Sequence, residues 1–369
     1  MFICTINTAQ IDKHSLFIIN NNNNNKQRKN MNNLKKIGLT ALAASLVSTS
    51  VFAGEVAVSG GASINWENYS ADTSAGANAN GTKSFSMGNQ LTFTGSGELD
   101  NGMNVAISFV LDQGDNETDV SGAGAPFDSH SVTISSDAIG TLKFHGEGGD
   151  SAQNALGDTA AGNIWDNFDG RNGKSSKLKE SNATLNMMHY TLPEMVDGLT
   201  VAASYVPGSG LDESDTAYSA SYTGVEGLTI SYGVGSANGQ AAQVEGEALV
   251  AKNADASTIK LSYVYGSVTL AYSDHEYDSD LADGTEDQDA TSWKVSYTVS
   301  DAISVTYAEE EMNSGTAADQ DATYSKATVS YTAGGMTLSA NMQEMENGDY
   351  STAASADEEY VGLSVSFAF

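Results

Sequence analysis

The chain has 369 residues, with 47 acidic against 16 basic side chains, and its formal charge of −31 argues against nucleic acid as a partner. A single cysteine, Cys4, excludes an internal disulfide framework. Few aromatics and abundant Gly, Ser and Asp would suit a disordered chain, but the spacing of the apolar residues argues for order.

The first 53 residues differ from the rest. Residues 1–30, with six consecutive asparagines at Asn20–Asn25, read as an upstream extension outside the native protein. From Met31 a short basic stretch leads into an apolar run from Ile37 to Val51. Val51 and Ala53 then place small residues at the two positions a signal peptidase reads. Residues 31–53 are expected to be a secretory signal peptide, with Gly54 the mature N-terminus. Six basic residues and one acidic residue precede Gly54, which leaves 10 against 46 and a net charge of −36 for residues 54–369.

Beyond Gly54 there is almost no helical pattern. Segments that alternate apolar and polar residues recur instead, beginning with "GEVAVSGGASINW" (Gly54–Trp66) and "MNVAISFVL" (Met103–Leu111). "LTVAASYV" (Leu199–Val206), "LTISYGV" (Leu228–Val234) and "STIKLSYVY" (Ser257–Tyr265) follow, the last running through Gly266 into "SVTLAY" (Ser267–Tyr272). "SWKVSYTV" passes through Ser300 and Asp301 into "AISVTY", and "KATVSYT" passes through "AGG" into "MTLSANM". Gly, Asp and Asn in the short breaks are what tight strand connections need. Long polar connections alternate with them at Ser70–Thr82, Asp115–Ser129, Gly149–Ser181, Ser236–Ala256, Asp278–Ala290, Ser314–Ala322 and Asn347–Asp357.

Counting between these breaks predicts about sixteen antiparallel strands and one domain, all-β, over residues 54–369. A sandwich would bury the bulky face. Sixteen strands, however, close into a cylinder too wide for side chains to fill. The opposite face is Ser, Thr, Asn, Gln, Gly and an occasional Lys, so a wet interior and a lipid-facing exterior are expected, a transmembrane β-barrel. Tyr190, Tyr222, Tyr265, Tyr297 and Tyr331 fall near short turns, and Tyr232, Tyr272 and Tyr307 nearer long loops, as two aromatic girdles would require. Val361, Leu363, Val365, Phe367 and Phe369 continue the apolar stripe to the carboxylate, and closure by pairing with Gly54–Trp66 would put that stripe in lipid.

A signal segment, about sixteen strands and a last strand "VGLSVSFAF" ending in Phe together resemble the general bacterial porins over the whole of residues 54–369. "NMMHYTLPEMVDGLTVAASYVP" (Asn186–Pro207) is similar to the strand–turn–strand after the third loop of that family, although Leu192 and Met195 depart from its usual pattern. The resemblance implies a homotrimer of water-filled channels in the outer membrane, each narrowed by its third loop, here about 149–181. It also implies that the terminal stripe is read by the outer-membrane barrel assembly machinery, and that small hydrophilic solutes pass without cofactor or catalysis.

Charged residues near that loop are the candidate site. Asp158, Asp166 and Asp169 precede a basic cluster of Arg171, Lys174, Lys177 and Lys179. An eyelet of opposed charges across water would use them to select ions, whereas simple solvation of a loop accounts for them equally. Lys143 and His145, on the inward phase of "GTLKFHG", would add positive charge from the wall. The excess of acid predicts cation preference. The alternative is a solute-specific channel that binds an anion such as phosphate at the basic cluster. Two further readings are weaker: calcium at "DSDLADGTEDQD" (Asp278–Asp289), whose Gly is out of step with an EF-hand loop, and a hydrolase serine in "GGDSAQ" (Gly148–Gln153), which lacks a strand-to-helix setting. A passive adhesin or structural barrel would share the fold.

Overall fold

The computed structural model describes residues 55–70, 83–112, 127–169, 177–183, 186–208, 213–240, 251–280, 286–316, 319–353 and 356–369. Among these the chain forms sixteen strands of a closed antiparallel barrel. The first nine strands are β1 Glu55–Tyr69, β2 Lys83–Glu98, β3 Asn104–Asp112, β4 Ser129–Ser136, β5 Gly140–Glu147, β6 Met187–Thr191, β7 Leu199–Val206, β8 Asp215–Val225 and β9 Leu228–Ser236. A separate two-stranded ladder, β10 Gly239–Gln240 and β11 Ala251–Lys252, lies between them and the rest. The remaining strands are β12 Ala254–Tyr265, β13 Val268–Ser279, β14 Gln288–Ser300, β15 Ile303–Ser314, β16 Ala322–Ala333, β17 Met336–Glu346 and β18 Glu358–Ala368.

Each barrel strand pairs with its chain neighbour, and β1 pairs with β18, so no edge is left. The closure register sets Ile64 against Val365 and Trp66 against Leu363. Phe369 extends the ladder by one residue, exchanging backbone hydrogen bonds with Gly60 at 2.8 and 3.0 Å. Its ring stays 72% exposed on the outer face. Tight turns such as those at Gly266 (φ 58°) and Gly334 (φ 59°) use the left-handed backbone that glycine tolerates.

The alternation resolves into two faces as expected. Leu270 pairs with Val295 on the outside, and Ala271 with Lys294 on the inside. Outward tyrosines include Tyr205, Tyr218, Tyr232, Tyr272, Tyr297, Tyr307 and Tyr331, all exposed. The strands cross; among the described residues no helix is long and apolar enough to do so.

Two expectations need correction. The polar stretch Asp278–Ala290 is shorter as a connection than its sequence suggests: β13 runs to Ser279 and β14 starts at Gln288, because ladder pairing carries polar residues at both ends of it into regular structure above the apolar band. The interior is also not uniformly small and polar. Tyr69, Met312, Tyr324, Met345 and Tyr360 point inward near the long-loop end and form a local core with Ile164 and Phe168. Phe168 meets Tyr69 edge-on at 6.5 Å and Tyr324 at 6.1 Å. Burying each of two such side chains is worth about 1.5–3 kcal/mol, enough to explain why bulky residues break the inward pattern there.

Candidate functional site: a loop laid along the inner wall

The connection between β5 and β6 is the third long one, and it folds into the barrel. Its path is fixed by polar side chains on the inward phase of successive strands. Ala152 N–H donates to Ser204 Oγ on β7 (2.9 Å), and Gln153 Nε2 donates to Thr258 Oγ1 on β12 (2.7 Å). Ala160 and Ala161 N–H donate to Ser273 Oγ on β13 and Ser292 Oγ on β14. The Tyr69 hydroxyl on β1 then donates to the Asn167 carbonyl. On β9, Gly233 and Gly235 leave room for this close approach; a Cβ at Gly235 would lie 2.7 Å from that of Ser181.

Glu310 on β15 is the strongest anchor. It is 2% exposed, and its carboxylate accepts from Thr159 Oγ1 (2.6 Å), Ile164 N–H (3.1 Å) and Trp165 N–H (3.0 Å). These donors would otherwise be unmet in a dry contact, costing about 1–3 kcal/mol each. His275 on β13, also 2% exposed, shares a hydrogen bond of 3.0 Å between its Nδ1 and the Thr258 hydroxyl, which also accepts from Gln153. None of these wall residues belongs to a recognisable motif.

The anticipated eyelet residues divide. Asp158 and Asp166 are exposed on the loop, and Asp158 Oδ1 accepts from Asn163. Asp169 instead pairs with Lys177 at 3.0 Å. Lys179 donates to the Glu286 carbonyl (2.6 Å) and lies 3.4 Å from its carboxylate. Both described lysines of the cluster thus contact acids directly instead of facing them across water, while Arg171 and Lys174 lie outside the described residues. Lys143 points inward opposite Thr133 and beside His189. His145 also points inward but is buried where the loop begins.

Sequence reasoning missed three other bases. Lys260, Lys294 and Lys326 project inward from β12, β14 and β16, and the Lys260 ammonium donates to the Asp158 carbonyl. The alternation in "STIKLSYVY", "SWKVSYTV" and "KATVSYT" already put them on the wet face; what it lacked was the loop's course. Glu180 was missed as well. One of its oxygens accepts from Asn154, while the other is buried without a partner among the described residues. Burial, together with Asp158 and Asp150 nearby, pushes its carboxyl up to about 7.

The two weaker readings gain no geometry. Ser151 is buried, 2.5 Å from the Ser181 hydroxyl, and its Oγ accepts from the Asn154 N–H, so its bonds serve the loop. Among the described residues no group of three or more His, Cys, Asp or Glu could hold a metal ion. Residues 281–285 of the proposed calcium loop lie outside them. The Asp287 carboxyl, held below its ordinary range, accepts from the Ser279 N–H and hydroxyl.

Comparison with solved structures gives the same architecture. An anion-selective porin from Comamonas acidovorans superposes with a TM-score of 0.63 at 17% identity, covering 86% of this chain and all of the other. OmpT, an outer membrane protein of Vibrio cholerae, in a form lacking loop L8, gives 0.57 at 14% identity over 86% of this chain and 99% of its own. A porin variant from Rh. blastica gives 0.58 at 16% identity over 85% of this chain and all of its own. No curated protein matches the sequence. The profile of the Gram-negative porins matches residues 38–349, most of the chain. With a closed sixteen-stranded barrel, a lipid-suited exterior and a wet interior crossed by the third loop, the chain belongs to the Gram-negative porins.

Proposed function

We propose that this outer-membrane porin is a general diffusion channel for small hydrophilic solutes and ions, cation-preferring at low salt, with no catalytic step. The observation that carries the cation preference is the division of charge on the third loop. Asp150, Asp158 and Asp166 are exposed, whereas Lys177 and Lys179 are neutralised by contact with Asp169 and Glu286. The acidic long loops add a negative potential at the outer mouth. Reversal potentials in a KCl gradient test the reading: cation preference should weaken as salt rises, and anion preference at low salt would overturn it. The alternative, an anion-specific channel built on the loop's basic cluster, is less well supported because its described lysines are spent in ion pairs.

Maturation at Gly54, recognition of Val361, Leu363, Val365, Phe367 and Phe369 by the barrel assembly machinery, and trimer formation belong to the same proposal. The outward tyrosines support the trimer. Tyrosines mark the outside of β6–β9 and β12–β16, but none occupies the outward phase of β1–β5 or β17–β18 among the described residues. A face covered by neighbouring subunits has no water–lipid boundary to mark. N-terminal sequencing, assembly of Phe369→Asp, and the mass of the detergent-extracted oligomer are the respective tests.

A further inference from the structure

The three wall lysines share a relation to the loop. On β12, β14 and β16 the loop rests on Thr258, Ser292 and Tyr324. In each strand the next inward residue toward the short turn is a lysine: Lys260, Lys294 and Lys326. They form a basic ledge along one edge of the loop, on the side facing the short turns, which in this family is the periplasmic side.

Lys294 and Lys326 lie on one row of the ladder, with only Ala308 between them. Two strand spacings separate their backbones by roughly 10 Å, so two flexible four-carbon stems can bring both ammonium groups onto one small ligand. Ser296, Thr306 and Thr328 occupy the next row toward the turns and offer hydroxyls beneath them. Glu310 lies on the row above, and its oxygens already accept three bonds from the loop. Among the described residues neither Lys294 nor Lys326 makes an ion pair. Two convergent ammoniums against one carboxylate leave uncompensated positive charge in a chain where acids outnumber bases about threefold.

We infer that this ledge is a binding site for divalent oxyanions, reached from the short-turn side of the constriction. Two ammoniums and a row of hydroxyls match a ligand with two charges and several acceptor oxygens, and favour it over chloride. The inference rests on the channel reading above.

The test uses the full mature porin in planar bilayers, with protein added to one chamber to fix its orientation. Potassium chloride carries the current, and sodium sulfate is added to one side at a time at constant ionic strength. Saturable block of single-channel current is expected at lower sulfate from the short-turn side. Lys294→Gln with Lys326→Gln should raise the half-blocking concentration about tenfold or more, the loss expected for one charge-assisted contact. Lys294→Arg with Lys326→Arg should retain block, and Lys83→Gln, on the outer face, should not alter it. Should the glutamine pair fail to assemble, Thr306→Glu sets a carboxylate beside both lysines and should abolish block with the lysines intact. Block that is equal in native and glutamine channels, or absent from native channels that otherwise conduct, overturns the ledge. Folded protein that forms no channels overturns the porin reading instead.

Discussion

The two halves of the lumen wall are built from the same alternation and do different work. On β7 and β12–β15 the inward residues meet the third loop: Ser204, Thr258, Ser273, Ser292 and Glu310 each bond a loop group, and several are fully buried. Across the barrel, on β1, β2 and β18, the inward residues Ser63, Asn65, Ser86 and Ser364 mostly bond one another. Apart from Tyr69 and Tyr360, which pack against Phe168 of the loop, the second half faces the lumen, where small polar side chains serve. A dry contact needs a specific acceptor for each donor, and this half also holds a buried carboxylate and three lysines. The difference teaches that the wall's specific polar partners gather where the loop covers it.

Removing Glu310 should break this comparison most severely. Glu310→Ala leaves three loop donors unmet, at about 1–3 kcal/mol each. Single-channel conductance should rise as the loop leaves the wall, with Glu310→Gln intermediate. Ser59→Ala on the opposite wall should leave conductance as it is. Native conductance in Glu310→Ala would mean that the loop is held by its apolar core alone.

The next test separates the lining from the lipid face. Val295→Lys or Leu270→Lys should destabilise the barrel by about 2–4 kcal/mol if near the bilayer midplane, read as a lower temperature for loss of the heat-modifiable band. Ser296→Lys and Ala271→Lys, one residue away on the wet phase, should assemble normally. Equal damage from both pairs would refute the assigned phase.

Smaller effects are expected from charges on the loop itself. Asp158→Asn with Asp166→Asn should lower cation preference severalfold at low salt, and less at 0.1 M, where screening acts over about 10 Å. Lys177→Gln should change it little, since that charge is already paired with Asp169. A large effect of Lys177→Gln would restore the basic cluster to the pore.

The smallest is a single proton. Glu180 titrates near 7 against an ordinary 4.5, so its proton is bound more tightly in the folded chain. Its contribution to stability is therefore greatest below about 4.5 and is lost as pH rises through about 7. The same rise adds one negative charge to the loop, so cation preference should step up between pH 6 and 8. Glu180→Gln should remove that step, and a step of unchanged size would assign it to another group.

The sequence alone determined the barrel, the strand phases, the outward tyrosines and the last strand's role in closure. Side-chain direction repeats every two residues, so each strand declares its own faces without knowledge of its neighbours. It also showed that the third connection was long and charged. Only the tertiary structure decided where that connection lies, because its path depends on bonds such as Gln153 to Thr258 and Thr159 to Glu310, between residues more than 100 positions apart. Nothing local marks Glu310 as an anchor, or Lys294 and Lys326 as neighbours. Their meeting is a matter of register across three strands, and register is fixed only when the barrel closes.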